Sequence, residues 1–483
     1  MTSSNLRRNK WTFAVGTIGR DMTYTLISMY FIYYLSNIVK PSTGVFALVS
    51  SLILGARLFD VVMDIVMGSV VDNTRSRWGH YKPWILGGMI LSGLFTILLF
   101  TPMSLGAAGF VIVFFLLYLA WSLSWTMNDI PYWSLMPTLS LDQKERERFG
   151  SLAKIFATIG QFAVVGTIIP VTGLFTNLVG ARNAWLVYTV IIIVIMIAGQ
   201  SVTLIGVKAP DLVVEQERVR VRDIFSVVVK NDQLLWVAIA MILFMTGYVT
   251  TTSFGTYFFQ YAYKDLSMYT PFGLILGVAS VGGYLVFPVL RRRFNRKTLY
   301  TLATGLIVAG YVVFYFAPLN STSPARFIVI AIAGLLLFVG DTFVTILMLM
   351  FIADTIDYGH WKLGRRNTAI TFALQPFINK VGAALSAEIV ALTIIWAGIK
   401  QAGDDVDLVT DAGLTKMKMI MLVLPLILTL IGYLLYRWKY TIDETFHAQI
   451  LSDLRGRGQL TEEADEAVAA EMGAQPGDHP KET

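Results

Sequence analysis

Windows of about 20 predominantly apolar residues recur twelve times along this chain. They lie near 11–38, 45–71, 83–101, 106–137, 149–174, 184–206, 233–262, 269–290, 298–317, 326–357, 368–398 and 417–438. Each is long enough to cross the hydrocarbon core as an α-helix, which satisfies its own backbone where no water can. Only 14% of the residues are charged, against roughly 25% in soluble domains. The pattern therefore predicts an all-α integral membrane protein with twelve transmembrane helices. Windows of this length exclude a β-barrel, whose strands are short and alternate.

Basic residues order the loops. Arg7, Arg8 and Lys10 precede the first window, Arg75, Arg77 and Lys82 follow the second, and Lys144, Arg146 and Arg148 follow the fourth. Arg218, Arg220 and Arg222 lie after the sixth, Arg291, Arg292, Arg293, Arg296 and Lys297 after the eighth, and Lys362, Arg365 and Arg366 after the tenth. The alternate loops carry few, namely Lys40, Arg182, Lys264 and a mixed acidic stretch at 400–418. Positive loops face the cytoplasm, so both termini are expected inside, in a bacterial inner membrane. The longest polar interruption, 207–232, divides the chain into a bundle over 1–206 and another over 233–440, with a tail at 441–483. Matching basic loops after the second and eighth windows support two pseudo-symmetric six-helix bundles, the major facilitator arrangement.

The second window carries the most informative charges. Arg57, Asp60 and Asp64 are spaced i, i+3, i+7, which stacks them on one face of a helix. Charges inside a span are costly and face a bundle interior, where they pair or handle ions. Two carboxylates a turn apart beside a guanidinium form a coupled titrating set, as exchange of a proton or small cation requires.

Other spans add polar groups at similar depth. The first holds Arg20-Asp21 between Gly16 and Gly19, and the fourth holds Trp125-Thr126-Met127-Asn128-Asp129-Ile130-Pro131-Tyr132-Trp133. Aromatic faces beside carboxylates suit sugars, whose C–H faces stack while their hydroxyls donate. The fifth adds Lys154, the eleventh Gln375 and Lys380. At 1.5 Å per residue, Asp21, Asp64 and Asp129 lie about 13–16 Å from the cytoplasmic loops and Asp60 and Lys380 about 20 Å, so they converge on mid-membrane. Asp354 and Asp357 end the tenth window and precede Arg365 and Arg366. This spacing predicts a salt-bridged gate on the cytoplasmic face. Asp341 and Glu388 are further acids within spans to which the pattern assigns no role.

Several classes are excluded. There is no cysteine for disulfide or thiol chemistry. Arg20 and Asp21 at the centre of the first window argue against a cleavable signal. The net charge of +6 follows from loop placement and does not indicate nucleic-acid binding. No nucleotide motif, metal cluster or nucleophile with its base points to an enzyme, and no cofactor is expected. The tail reads as a short amphipathic piece followed by disorder.

From about 10 to 440 the chain resembles the glycoside–pentoside–hexuronide:cation symporter family of the major facilitator superfamily, its melibiose permease-type members most. The resemblance rests on Arg57-x-x-Asp60-x-x-x-Asp64-x-x-x-Gly68, on Arg75-Ser76-Arg77-Trp78-Gly79-His80-Tyr81-Lys82-Pro83-Trp84, on Asp129-Ile130-Pro131-Tyr132-Trp133, and on Ala353-Asp354-Thr355-Ile356-Asp357-Tyr358-Gly359. It implies that Asp60 and Asp64, with Thr126, form the cation site beside Lys380, and that Arg20, Asp21, Asp129 and Trp133 hold a sugar. Three positions depart from the family. Met63 stands where an Asn flanks the cation site, and a thioether is a poor hard-cation ligand. That favours a proton over Na⁺ or Li⁺ at Asp60 and Asp64. Trp125 replaces a Tyr and Lys154 an Arg at the edge of the sugar pocket.

The resemblance thus implies uptake of a glycoside, a galactoside such as melibiose or a related oligosaccharide, with H⁺ (or Na⁺ or Li⁺) by alternating access, as a monomer in the bilayer. Three other readings remain at this stage: a symporter for an anionic hexuronide paired by Arg20, Lys154 and Lys380, a lysolipid carrier, and a sensor that binds ligand without moving it.

Overall fold

The computed structural model describes residues 3–72, 74, 76–139, 143–208, 228–318, 325–364, 368–403 and 405–457. All regular structure among them is helical. Six long helices form the N-terminal half: α1 (Ser3–Met29, prolonged by Phe31–Tyr33 and a wide π turn at Tyr34–Val39), α2 (Thr43–Asp72), α3 (Lys82–Phe100), α4 (Ala107–Leu135), α5 (Gln143–Val179) and α6 (Ala181–Gly206). The C-terminal half repeats them as α7 (Asp232–Ser253, prolonged by Gly255–Tyr257 and a π turn at Phe258–Ala262), α8 (Tyr269–Arg291), α9 (Arg296–Tyr315), α10 (Ala325–Leu363), α11 (Thr368–Trp396) and α12 (Asp411–Lys439). A thirteenth helix, α13 (Glu444–Gly456), follows. The middle segment 209–227, Arg365, Arg366 and the tail beyond 457 lie outside the described residues.

Ten of these helices are long and apolar enough to cross a membrane. The other two, α1 and α2, are those that carry Arg20-Asp21 and Arg57, Asp60 and Asp64; the apolar part of α2 is Thr43–Arg57. Several helices run past their apolar windows, α5 from Gln143 and α10 to Leu363. Hydropathy does not register the polar turns that extend beyond a bilayer.

Within the N-terminal half α1 packs on α5 and α6, and α4 on α2 and α3; within the C-terminal half α7 packs on α11 and α12, and α10 on α8 and α9. The halves meet along two long seams, α2 with α11 and α5 with α8. Advancing each label by six turns one seam into the other, as a pseudo-two-fold axis requires. Close approach depends on small residues. Gly88 of α3 abuts the backbone of Asn128 in α4, and Gly310 of α9 abuts Ala333 and Leu337 of α10, with no room for a Cβ at either.

The end of the bundle far from the termini is bonded shut. The π turns of α1 and α7 face each other there. Tyr33 donates to Gln260 (2.7 Å), Asn37 to Gln260 (3.1 Å) and Tyr261 (2.8 Å), and Ser36 pairs with Tyr257 (2.6 Å). One turn deeper Tyr30 meets Tyr269 at 2.7 Å. Each π turn is followed by a lysine in the left-handed region, Lys40 (φ 55°) and Lys264 (φ 59°).

At the opposite end α13 straps the C-terminal half. Asp443 caps the helix by accepting from Phe446 N (2.9 Å) and Thr445 (2.6 Å), and receives Lys297 at 3.2 Å. These bonds, from Thr445 first, hold its carboxyl down at about 2, so it stays ionised in any practical buffer. His447 is buried, with Nε2 3.2 Å from Asp357 and 4.0 Å from Asp354. Asp354 also receives Arg296 and the Tyr440 hydroxyl (3.1 Å). Trp361 donates to Asp453 at 2.9 Å. The partners seen for Asp354 and Asp357 belong to their own half. They clasp that half together; the gate expected on the cytoplasmic face also calls on Arg365 and Arg366, which lie outside the described residues.

Burial opposes charging of His447, yet the bond to Asp357 and the charges of Asp354 and Asp357 outweigh both it and Arg296, and raise the imidazolium above its ordinary 6.5. A raised folded-state value means that the strap's extra stability is complete below pH 6.5 and fades as pH climbs through that higher value. The melting-temperature gap between wild type and His447→Gln is therefore expected to be several degrees at pH 6 and to shrink steadily toward pH 9. A gap independent of pH would remove His447 as the titrating group.

Candidate functional site

Two polar clusters lie at mid-membrane. In the first, α2 presents its three charges to α4 and α11. Asp64 receives Lys380 of α11 through both oxygens (2.6 and 2.5 Å) and Thr126 of α4 at 3.0 Å. Asp60 receives the Ser122 hydroxyl of α4, while its Oδ1 is buried with no partner. Arg57 donates to Tyr118 of α4 (3.1 Å) and to the Ala383 carbonyl of α11 (2.9 Å). The pair Asp64–Lys380 thus joins the halves, and both members are largely buried (14% exposed each). Removing either leaves the other charge uncompensated in a poorly solvated seam. Asp60 is the acid whose bonded partner is neutral.

The second cluster lies within the N-terminal half. Arg20 of α1 donates to Asp129 of α4 (2.7 Å), with its Nε 3.5 Å from Asp21. Its guanidinium lies 5.8 Å from the Trp125 ring, 5.2 Å from Tyr132 and 5.0 Å from Trp133, an aromatic box around one cation. Trp125 stacks on Tyr24 (5.5 Å, 28°) and Trp121 (6.0 Å, 23°). Asp129 and Asp21 retain partial exposure (19% and 23%) where Arg20 keeps 5%. The cation is locked away while both acids offer oxygens to a ligand. Lys154 is exposed and within electrostatic reach of Asp21. The two clusters sense each other, since Asp129 lies within electrostatic reach of both Asp64 and Lys380.

Most of the residues singled out in the sequence converge here: Arg57, Asp60, Asp64, Thr126 and Lys380 in one cluster, Arg20, Asp21, Trp125, Asp129, Trp133 and Lys154 in the other. Asn128 does not join them. It is fully buried, exchanging two bonds with Gln200 of α6 (2.8 and 2.9 Å) and donating to the Ile85 carbonyl (2.9 Å). Its amide is committed to holding α4 on α3 and α6. Gln375 is half-buried on α11 and makes no hydrogen bond with a described residue. Tyr118 and Ser122 were not among the residues singled out in the sequence. The signal was present: Tyr118, Ser122 and Thr126 are spaced i, i+4, i+8, a hydroxyl stripe in step with the charges of α2.

The donor set bears on the cation. Two carboxylates and two hydroxyls are hard ligands, but Lys380 covers both oxygens of Asp64. Among the described residues no group of three or more His, Cys, Asp or Glu could hold a metal.

A family model described as MFS/sugar transport protein matches residues 12–444. The chain belongs to this family of membrane sugar transporters. Similar relatives include the lactose permease of Leuconostoc lactis, 26% identical over 476 residues, with 94% of this chain and 73% of the relative covered. The raffinose carrier protein of Pediococcus pentosaceus is 26% identical over 461 residues, covering 92% and 70%. Among solved structures, the nucleoside transporter NupG aligns with a TM-score of 0.60 at 14% identity, covering 89% of this chain and 100% of that one. A bacterial homologue of the human lysosomal transporter Spinster gives 0.61 at 13% identity, covering 90% and 96%. At that identity the structures share the fold alone. Family and fold together make the chain a multi-pass major facilitator transporter, not an enzyme.

Proposed function

We propose that this chain imports a neutral glycoside of the galactoside class together with a proton, by alternating access. The reading is carried by one observation: Asp60 holds a buried oxygen without a partner beside an Asp64–Lys380 pair that ties the halves together. A proton on Asp60 removes the repulsion between the two neighbouring acids of α2 and lets the halves close around the Asp64–Lys380 pair. Without it, repulsion between the two acids favours separation. Asp129, in reach of that pair, makes sugar and proton each strengthen binding of the other, as linkage requires. Asp129 and Asp21 accept sugar hydroxyls, Trp125 and Trp133 stack on the ring, and Arg20 fixes both acids. A charge moving down 100 mV releases about 2.3 kcal/mol, enough for roughly a 50-fold gradient at about 1.4 kcal/mol per decade.

The galactoside class is supported by relatives named for lactose and raffinose, while a relative in Lactiplantibacillus pentosus is named an isoprimeverose transporter. Arg20 and Lys380 are already neutralised by carboxylates, which weighs against an anionic hexuronide. The basic loops support a carrier with both termini on the cytoplasmic side of the cell membrane, proposed to act as a monomer.

Ion movement on sugar addition tests this. Weakly buffered vesicles holding the protein receive lactose, raffinose, melibiose, a xyloside or a glucuronide, each with and without Na⁺. The expected result is external alkalinisation without Na⁺ for at least one neutral glycoside. Sugar-driven Na⁺ entry without alkalinisation would replace the proton by sodium. A response to the glucuronide alone would replace the substrate class.

A further inference from the structure

Asp341 sits midway along α10, 7% exposed. It makes no hydrogen bond or ion pair with any described residue. Two hydroxyls, those of Tyr248 of α7 and Tyr311 of α9, lie within electrostatic reach of its carboxyl. Tyr311 shares a hydrogen bond with Thr251 of α7 at 2.8 Å. Tyr248 lies within reach of the side chain of Gln161, which belongs to α5 and so to the other half. One turn before Asp341, Phe338 meets Tyr248 (5.9 Å) and, across the halves, Phe162 of α5 (6.5 Å). Gln161, Phe162, Thr251 and Phe338 also line a cavity of about 40 Å³. An unpartnered carboxyl at that depth is costly to keep. A proton neutralises it but leaves its oxygens unbonded; a polyol satisfies them.

The helix α5 sets the distance from this node to the first sugar cluster. Gln161 lies seven residues beyond Lys154, two turns along the same face and about 10 Å farther. Lys154 is in reach of Asp21. The two nodes therefore stand end to end along the cleft, one on each half, each pairing a carboxyl with aromatic faces. Two linked sugar rings present that pattern of hydroxyls and C–H faces.

We propose that Asp341, with Gln161 and Tyr248, forms a second hydroxyl-reading subsite that takes the sugar unit farther from Asp129, so that the chain selects glycosides of at least two units. This rests on the glycoside reading above. The test is calorimetric titration of the full chain in lipid nanodiscs with lactose, raffinose and methyl β-galactoside, for wild type, Asp341→Asn and Gln161→Ala. Wild type is expected to favour lactose over methyl β-galactoside, and each variant to cut that preference at least ten-fold, with raffinose following lactose. A preference unchanged in both variants overturns the subsite. Equal weakening of all three probes, with an altered pH dependence of binding, makes Asp341 a proton site and also overturns it. Failure of the glycoside reading looks different: wild type then binds none of the three, and the subsite falls with it. Melting curves establish that each variant folds, and Gln161→Ala, on the opposite wall, decides the matter if Asp341→Asn does not.

Discussion

The Asp60→Asn carrier is expected to equilibrate sugar across the membrane but not to concentrate it. The accumulation ratio should fall from tens to about one, while exchange of labelled for unlabelled sugar persists. The amide keeps an oxygen for Ser122 and imitates the protonated acid, so the halves still close around sugar. What disappears is the group that a proton must leave before the empty carrier resets. Active uptake and exchange, measured on the same vesicles, separate the two functions, and undiminished accumulation would mean that the proton binds elsewhere. Asp64→Asn should behave differently. It leaves the Lys380 ammonium buried without its carboxylate, a loss of about 3–5 kcal/mol, so stability falls along with transport. Lys380→Met in the same chain should restore the melting temperature without restoring coupling.

Asp129→Asn is expected to weaken sugar binding by about 10- to 150-fold, the worth of a hydrogen bond to a charged acceptor at about 1.5–3 kcal/mol. Arg20 retains Asp21, and the aromatic box is unchanged, so the variant should fold. Since Asp129 acts on Asp64 and Lys380 at a distance, the same change should also reduce the tightening of sugar binding that protons produce. Calorimetry at two pH values reads both effects. Unchanged affinity would move the sugar out of this pocket.

Much of this arrangement is written in local patterns. The twelve helices follow from apolar windows, and Arg57, Asp60 and Asp64 declare one helix face by spacing alone. The meeting of Asp64 with Lys380 is less visible, because 316 residues separate them and only equal depth links them. Asn128 misled for the opposite reason. Its neighbours Thr126 and Asp129 face ligand clusters, yet the rotation of about 100° per residue turns it away from them, against Gln200. The partners seen for Asp354 and Asp357, Arg296 and His447, come from the start of α9 and from a tail helix whose docking no periodicity encodes. The repeat between the halves is stronger in geometry than in sequence. Tyr33 and Tyr257, and Lys40 and Lys264, hold equivalent places in the two π turns, but the residues between them differ.

Those paired turns also bear on leakage. Five side chain–side chain hydrogen bonds seen between described residues join the halves around them, each worth about 1 kcal/mol net. Opening this end requires all of them to be broken, about 5 kcal/mol in sum. A carrier resting in this shape would be found unlatched only about once in several thousand looks. Membrane voltage could not then drive protons through it unaccompanied, and the cell's stored energy would be released only in whole turnovers with cargo aboard.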